Sequence, residues 1–422
     1  MSRVWRFLFF LLLGLLALGA LLGLVAWRNR TDLARLVVEE PSQVPPRPPR
    51  EGRTVVPPPA APAPPVPAPA PRALSWENLK VKPYAGRFAA DLEASRRLGD
   101  LNQILLDAVK DLKDGAGLFP SVQERAEFVP LDYASCTFRE PYSIRAGPGG
   151  EVRVEFPAEP ILLGWWPSRT LLAAALSRVV LERQVPGYAA APEWLRAGAA
   201  LHLTELGRIY ETRMLLENPR PPLQLVGPLT DGLPESWLCG YWAFEALKAR
   251  RGEEAVKAAL GAMRTGDWRA GIKAAGESPE EFEKGYRTWA EAHIRELTAG
   301  RGEFLEAVTL LRRRREAEAL PRLQAFVKER PLDLYSGDAR YYAAYARYRL
   351  GDYDDAAREL EDLLVNAPQS TSFQAKAHFF AGRCYQLLGY GPMASPEYAI
   401  AAFEPANPLL VKMASQRLEQ LR

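Results

Sequence analysis

Few side chains in this sequence have the type and spacing for chemistry. His202 and Glu205 lie one helical turn apart in LHLTEL. A metal would need further ligands close by, and the neighbouring residues supply none, so the pair reads as a structural histidine beside a surface acid. Arg178 and Glu182 stand at i and i+4, the spacing of a helix-surface ion pair that contributes about 0.3–0.5 kcal/mol. A sharper alternative has Arg178 holding an acidic group inside a cleft. Cys136, Cys239 and Cys384 are too far apart for a zinc ribbon or a C-x-x-C redox pair. They read as buried thiols, with one disulfide and one leftover thiol as the alternative. The sequence has no H-E-x-x-H, nucleophile elbow or Gly-rich phosphate loop.

Two helices must position these groups, and they fall in the stretch from Pro167 to Tyr210. In PSRTLLAAALSRVVLERQ, the residues Leu171, Leu172, Ala175, Leu176 and Val179 recur at helical spacing. In PEWLRAGAALHLTELGRIY, Pro192 suits the start of a helix, and Trp194, Leu195, Gly198 and Leu201 follow on one face. The second helix is expected to run on to Tyr210.

This pair resembles the core of the gluzincin, or peptidase MA-like, peptidases. In that family the first helix carries H-E-x-x-H, and the second a W-L-x-E-G-x-A-x-Y pattern whose glutamate is the third zinc ligand. Trp194-Leu195-Arg196-Ala197-Gly198 follows the second pattern with Ala197 at the glutamate. Laying LLAAALSRVVL on the first puts Ala174 and Arg178 at the two histidines and Ala175 at the general base. Methyl groups and a guanidinium cannot bind zinc. The resemblance therefore implies a peptidase framework with no metal, no cofactor and no catalytic residues. Downstream, Arg250-Arg251-Gly252-Glu253-Glu254, Gly266 with Ala270, Ser278-Pro279-Glu280-Glu281-Phe282 and Trp289 resemble the C-terminal helical part of the same family. Ser278 with Glu281 is also a capping box in its own right.

Upstream, Arg87 to Lys113 reads as one long helix with Phe88, Leu92, Leu98, Leu101, Leu105, Val109 and Leu112 as its apolar side. Phe128 to Leu131 reads as a strand. Tyr142–Arg145 and Val152–Phe156 flank AGPGG and read as a hairpin.

From Glu303 the pattern becomes paired helices. The run Tyr341 to Ala356 ends in LGDYDDA, with Leu360, Leu363, Leu364 and Pro368 after it. It resembles a tetratricopeptide repeat. A degenerate copy follows through Ala375, Gly382, Tyr385, Gly389, Ala394 and Tyr398, and another precedes with Ala319, Leu323, Phe326 and Pro331. Tyr342, Tyr345 and Arg349 stand at i, i+3 and i+7 and are the candidate partner-binding residues, since such stacks bind peptides in a concave groove. A truncation after Arg301 is expected to leave the body folded. The basic run Arg312 to Arg315 reads as a solvated helix face, with lipid headgroups as the alternative partner.

The chain opens with an apolar run, Phe7 to Trp27, long enough at ~1.5 Å per residue to cross a ~30 Å hydrocarbon core. A signal peptide is the competing reading, but its best cleavage triplet, Ala17-Leu18-Gly19, lies inside the apolar run. Arg3 and Arg6 precede the span and Arg28, Arg30 and Arg35 follow it, so charge leaves orientation open. Pro41 to Pro71 is mostly proline and alanine, an extended spacer reaching up to about 90 Å.

The formal net charge is +3 over 422 residues, which gives no reason to propose nucleic acid. The expected architecture has four parts: a transmembrane anchor over 1–30, a disordered spacer over 31–73, a mostly helical α+β gluzincin-like domain over 74–300, and an all-α tetratricopeptide-like domain over 301–422. The function expected is a single-pass, membrane-anchored, non-catalytic interaction protein. Its body lies outside the cytoplasm, in a bacterial periplasm, and a protein or peptide partner binds through the repeats. A hydrolase with a non-standard site in the same cleft and a structural envelope-assembly factor are the alternatives.

Overall fold

The computed structural model describes residues 79–421 except 117–125, 137–139, 147–150, 218–221, 230–235 and 264–266. The Phe7–Trp27 span and the Pro41–Pro71 spacer lie outside the described residues. Among the described residues, no helix is long and apolar enough to cross a membrane.

The chain enters through β1 (Leu79–Val81) and continues into α1 (Leu92–Leu98) and α2 (Leu101–Ala116). The single helix expected over this stretch is broken. Gly99 takes φ +58°, a backbone conformation that side chains disfavour and glycine allows, and it ends α1. Asp91 caps α1 by accepting the Ala94 N–H, and Asp100 accepts the N–H groups of Asn102 and Gln103 to start α2. Leu92, expected on the apolar side, is exposed, and Phe88 lies before the helix begins.

β2 (Ala126–Leu131), β3 (Ser143–Ala146) and β4 (Val152–Pro157) complete a four-stranded sheet in the order β1-β2-β4-β3. β1 pairs parallel with β2, and β2 parallel with β4, while β3 and β4 form the expected antiparallel hairpin. β1 alternates, with Leu79 and Val81 buried and Lys80 exposed, but at three residues it was too short to stand out in the sequence.

The sheet leads into α3 (Ser168–Gln184), α4 (Glu193–His202) and α5 (Leu206–Glu217). α3 is not amphipathic: every residue from Leu171 to Leu181 is buried. The second core helix stops eight residues early. The Thr204 N–H turns back to Leu201 O, and its hydroxyl bonds the Ala200 carbonyl, closing α4 before Leu206 opens α5. α6 (Ser236–Arg251), α7 (Glu253–Ala262), α8 (Trp268–Ala274) and α9 (Pro279–Leu297) finish the body. The Ser278–Glu281 capping box is present at the start of α9. α4 crosses α6 where two glycines meet. A Cβ on Gly240 would run into the Trp194 carbonyl, and one on Gly198 into the Gly240 backbone.

Seven helices follow in antiparallel succession: α10 (Arg301–Arg312), α11 (Glu316–Glu329), α12 (Ser336–Leu350), α13 (Tyr353–Asn366), α14 (Gln374–Leu387), α15 (Gly391–Ala401) and α16 (Pro408–Gln420). They are docked on the body. Buried Arg213 of α5 donates to the Thr371 carbonyl and to Gln374 Oε1, both at 3.0 Å, and its guanidinium covers the Trp165 ring. Asp338 of α12 grips the same loop, accepting from the Thr371 hydroxyl and the Ser372 N–H. Phe88 meets Phe403 edge to face at 4.8 Å.

Candidate functional site

The four aligned positions sit in the core of α3 and α4. Ala174, Ala175 and Ala197 are buried methyl groups with no atom to donate to a metal, and the Ala174 carbonyl accepts the buried Tyr142 hydroxyl at 3.2 Å. These residues do not fit zinc: three lack a donor atom, and the fourth is a permanent cation.

That fourth residue, Arg178, organises the site. Its side chain is 9% exposed. Nε donates to Glu182 Oε1 at 2.9 Å and Nη2 to Glu193 Oε2 at 2.7 Å. Its guanidinium lies 5.1 Å from the Trp237 ring centre. Glu193 Oε1 accepts the Trp237 indole N–H at 3.0 Å, so both carboxylate oxygens are engaged. Arg196 closes the set, 2.9 Å from Glu193 and 3.4 Å from Glu182. Tyr188 donates its hydroxyl to the Arg196 carbonyl.

The local sequence explains the assembly. Arg178 and Glu182 share one face of α3 because they are four apart. Glu193 is the first residue of α4, where the helix dipole favours a negative charge, and Arg196 follows one turn later. Crossing of α3 and α4 then brings two cations and two anions together. Burial alone would lower the Arg178 pKa, but Tyr142, Glu193 and Glu182 raise it above its ordinary value. Burial raises Tyr142 and Tyr188 as well. The cluster therefore offers a bound guanidinium, engaged carboxylates and phenols held neutral.

The structure corrects the surface placement of Arg178: it is buried, Glu182 is half-buried, and the pair's main cross-helix partner is Glu193. His202 and Glu205 are not brought together. His202 Nδ1 contacts Glu245 Oε1 at 2.6 Å and Nε2 lies 3.5 Å from Glu253, while Glu205 is exposed. Tyr342 and Tyr345 are buried rather than lining an open groove, and Arg349 pairs with Glu316 at 3.1 Å. Tyr341 stacks on Phe373 at 4.7 Å, and Tyr345 meets Phe380 at 5.0 Å, so the stripe is packing between helices. Sequence reasoning missed Glu193 and Trp237. An acid opening a helix beside a tryptophan-rich partner was the only available signal.

A pocket of about 300 Å³ lies elsewhere, against β1 and α1, lined by Val81, Phe88, Leu98, Leu101 and Asn102 among others. None of the four aligned positions reaches it. All three cysteines are free, with Cys239 and Cys384 buried. Burial pushes the Cys384 thiol up to about 12, so it is not a nucleophile at neutral pH.

Family models, curated proteins and solved structures return no match to this chain. The described residues are mostly helical with a small four-stranded sheet, and that is the class the fold defines.

Proposed function

We propose that the protein is a membrane-anchored, non-catalytic interaction scaffold. Its body is a degenerate peptidase MA-like domain and its C-terminal part a stack of tetratricopeptide-like repeats. The observation that carries this reading is the Arg178–Glu193 bridge, where the family's chemistry would need a metal ligand. A guanidinium bound by two carboxylates, among buried alanines, puts a cation and methyl groups where the family's motif has its histidines and glutamates. The helix pair α3–α4 beside a sheet with an antiparallel edge strand supports the gluzincin resemblance. The short turns and successive helix packing of α10 to α16 support the repeats. The body stands outside the cytoplasm at the end of the proline-rich spacer, and a protein partner binds the outer surface of the stack, because the Tyr342–Tyr345 stripe is taken up by packing.

Metal analysis and a generic peptidase assay on the detergent-solubilised full chain test the non-catalytic part. Sub-stoichiometric zinc and no cleavage are expected; one zinc per chain or chelator-sensitive proteolysis overturns it. Membrane fractionation tests the anchor. The full-length chain should stay in the pellet under high salt, and a soluble chain beginning after Gly19 would show a cleaved signal instead.

A further inference from the structure

The cleft of about 300 Å³ beside β1 belongs to no part of the Arg178 site. Its apolar lining comes from Val81, Pro83, Phe88, Leu98 and Leu101. The volume stands at the small end of the range for ligand sites, which suits a few residues of a peptide. Ser95 and Gly99 of the lining share one face of α1 with Leu92, three and seven positions earlier. Leu92 is 85% exposed, so the apolar surface of the cleft continues outward along the helix.

Three polar groups decide what can lie there. Asn102 Oδ1 accepts the Val81 N–H at 2.9 Å, which turns the amide N–H groups of Asn102 away from β1 as donors. With the Val81 N–H taken, a ladder for a further strand cannot start at this point. A polyproline II segment needs no ladder, since its backbone has no internal or cross-strand bonds to satisfy. Asp100 uses Oδ1 for the N–H groups of Asn102 and Gln103 and has no ion pair among the described residues. Lys82, the cation of the lining, is held by Glu127 at 2.9 Å. The cleft thus offers an apolar surface, an amide donor and a carboxylate open to a cation.

The chain itself contains a segment of that chemistry close by. Val66, Pro69 and Arg72 recur every third residue, and a polyproline helix of three residues per turn puts them on one face. The backbone from Arg72 to Leu79 spans up to about 25 Å, whereas β1 is about 10 Å long. The segment can therefore turn back along β1 to the cleft at its far end. So short a tether gives it an effective concentration of about millimolar order, an advantage no free peptide has.

We propose that the cleft takes the chain's own segment Pro64–Arg72, with Val66 and Pro69 against the apolar lining and Arg72 on Asp100. This goes beyond the anchored-scaffold reading and does not depend on it, because neither the segment nor the cleft involves the anchor or the helical stack. Docking would shorten the spacer and fix the direction in which the body leaves it.

The test is photo-crosslinking in the detergent-solubilised full chain. Benzoylphenylalanine replaces Leu92, whose exposure lets it change without disturbing the core, or Val365 on α13, 71% exposed, as the control. Peptide mass spectrometry after illumination should find crosslinks from position 92 to residues 64–72 and none from position 365. In a mixture of light and isotopically heavy chains, these crosslinks should stay within one chain. Val66→Asp with Pro69→Asp, which leaves the described residues untouched, should abolish them. Arg72→Gln should lower their yield by about twofold or more. No crosslink from position 92 to the segment, the same yield from position 365, or no effect of the double substitution overturns the proposal. Light-to-heavy crosslinks would give the cleft to a second copy and overturn it too. Failure of the anchor itself appears separately, as full-length protein that leaves the pellet under high salt.

Discussion

Arg178 Nη2 donates to Glu193 Oε2 at 2.7 Å, tying the middle of α3 to the first turn of α4. The two residues stand fifteen apart in sequence, and Arg178 is 9% exposed against 29% for Glu193. Removing Arg178 leaves Glu193 with only Arg196 and the Trp237 indole N–H, and Glu182 with only Arg196, in a half-buried site. Arg178→Met should destabilise the chain by an amount near the low end of roughly 3–5 kcal/mol, because Glu193 keeps part of its water. Adding Glu193→Gln should recover part of that loss, with a coupling of about 1 kcal/mol or more in a double-mutant cycle. Additive losses in denaturant titration would mean that the bridge contributes nothing.

The crossing of α4 and α6 predicts a second large effect. Gly240→Ala places a methyl group against the Trp194 carbonyl, a backbone atom that cannot rotate away. The helices must separate, at a cost of about 3 kcal/mol or more. Gly261→Ala is the control, since a Cβ there meets nothing within 4 Å. It should leave stability unchanged or raise it slightly. Equal melting temperatures for the two variants would contradict the close crossing.

His293 makes stability depend on pH. Its Nε2 lies 2.8 Å from Glu211 Oε1, which also accepts the Trp242 indole N–H. Burial lowers the histidine pKa, but the Glu211 hydrogen bond and charge, with Glu296 and Glu245 nearby, raise it above its usual value. The folded chain thus holds this proton more tightly than the unfolded chain does. The contribution is complete below the unfolded value, near 6.5, and is lost as pH rises through the higher folded value. As pH rises above about 6.5, the melting temperature of the wild-type chain should therefore fall more steeply than that of His293→Gln. Parallel curves would show that the pair does not titrate in this range.

Docking of the stack on the body alters what truncation does. A chain ending after Arg301 keeps buried Arg213 but removes Thr371 and Gln374, its two acceptors across the junction. It also exposes Phe88, which loses Phe403. Hydrogen bonds to a charged group contribute roughly 1.5–3 kcal/mol each, so the truncated body should lose at least about 3 kcal/mol in urea titration. A truncated body as stable as the whole chain would mean that the junction is loose. Partner mapping is accordingly better done with surface substitutions than with deletions.

Residues acting on their near neighbours were legible from the sequence. The Ser278–Glu281 box and the β3–β4 hairpin each rest on side chains and turns within a few positions, where local geometry decides. Arg178 and Glu182 were legible as a pair for the same reason. Their burial was not, because it depends on which elements cover α3. Glu193 and Trp237 enter the cluster from α4 and α6, and His202 finds Glu245 forty-three residues away. The tyrosines of α12 show the limit most clearly. Their spacing is the same whether the stripe faces a groove or a neighbouring helix, and only the positions of Phe373 and Phe380 turned it inward. The sequence by itself determined the helical content, the turn chemistry and the lack of metal ligands at Ala174, Ala175 and Ala197, since those follow from residue type and short-range sterics. The tertiary structure alone decided that Arg178 is buried against two carboxylates, because that depends on α3 and α4 crossing over a distance that sequence periodicity does not encode.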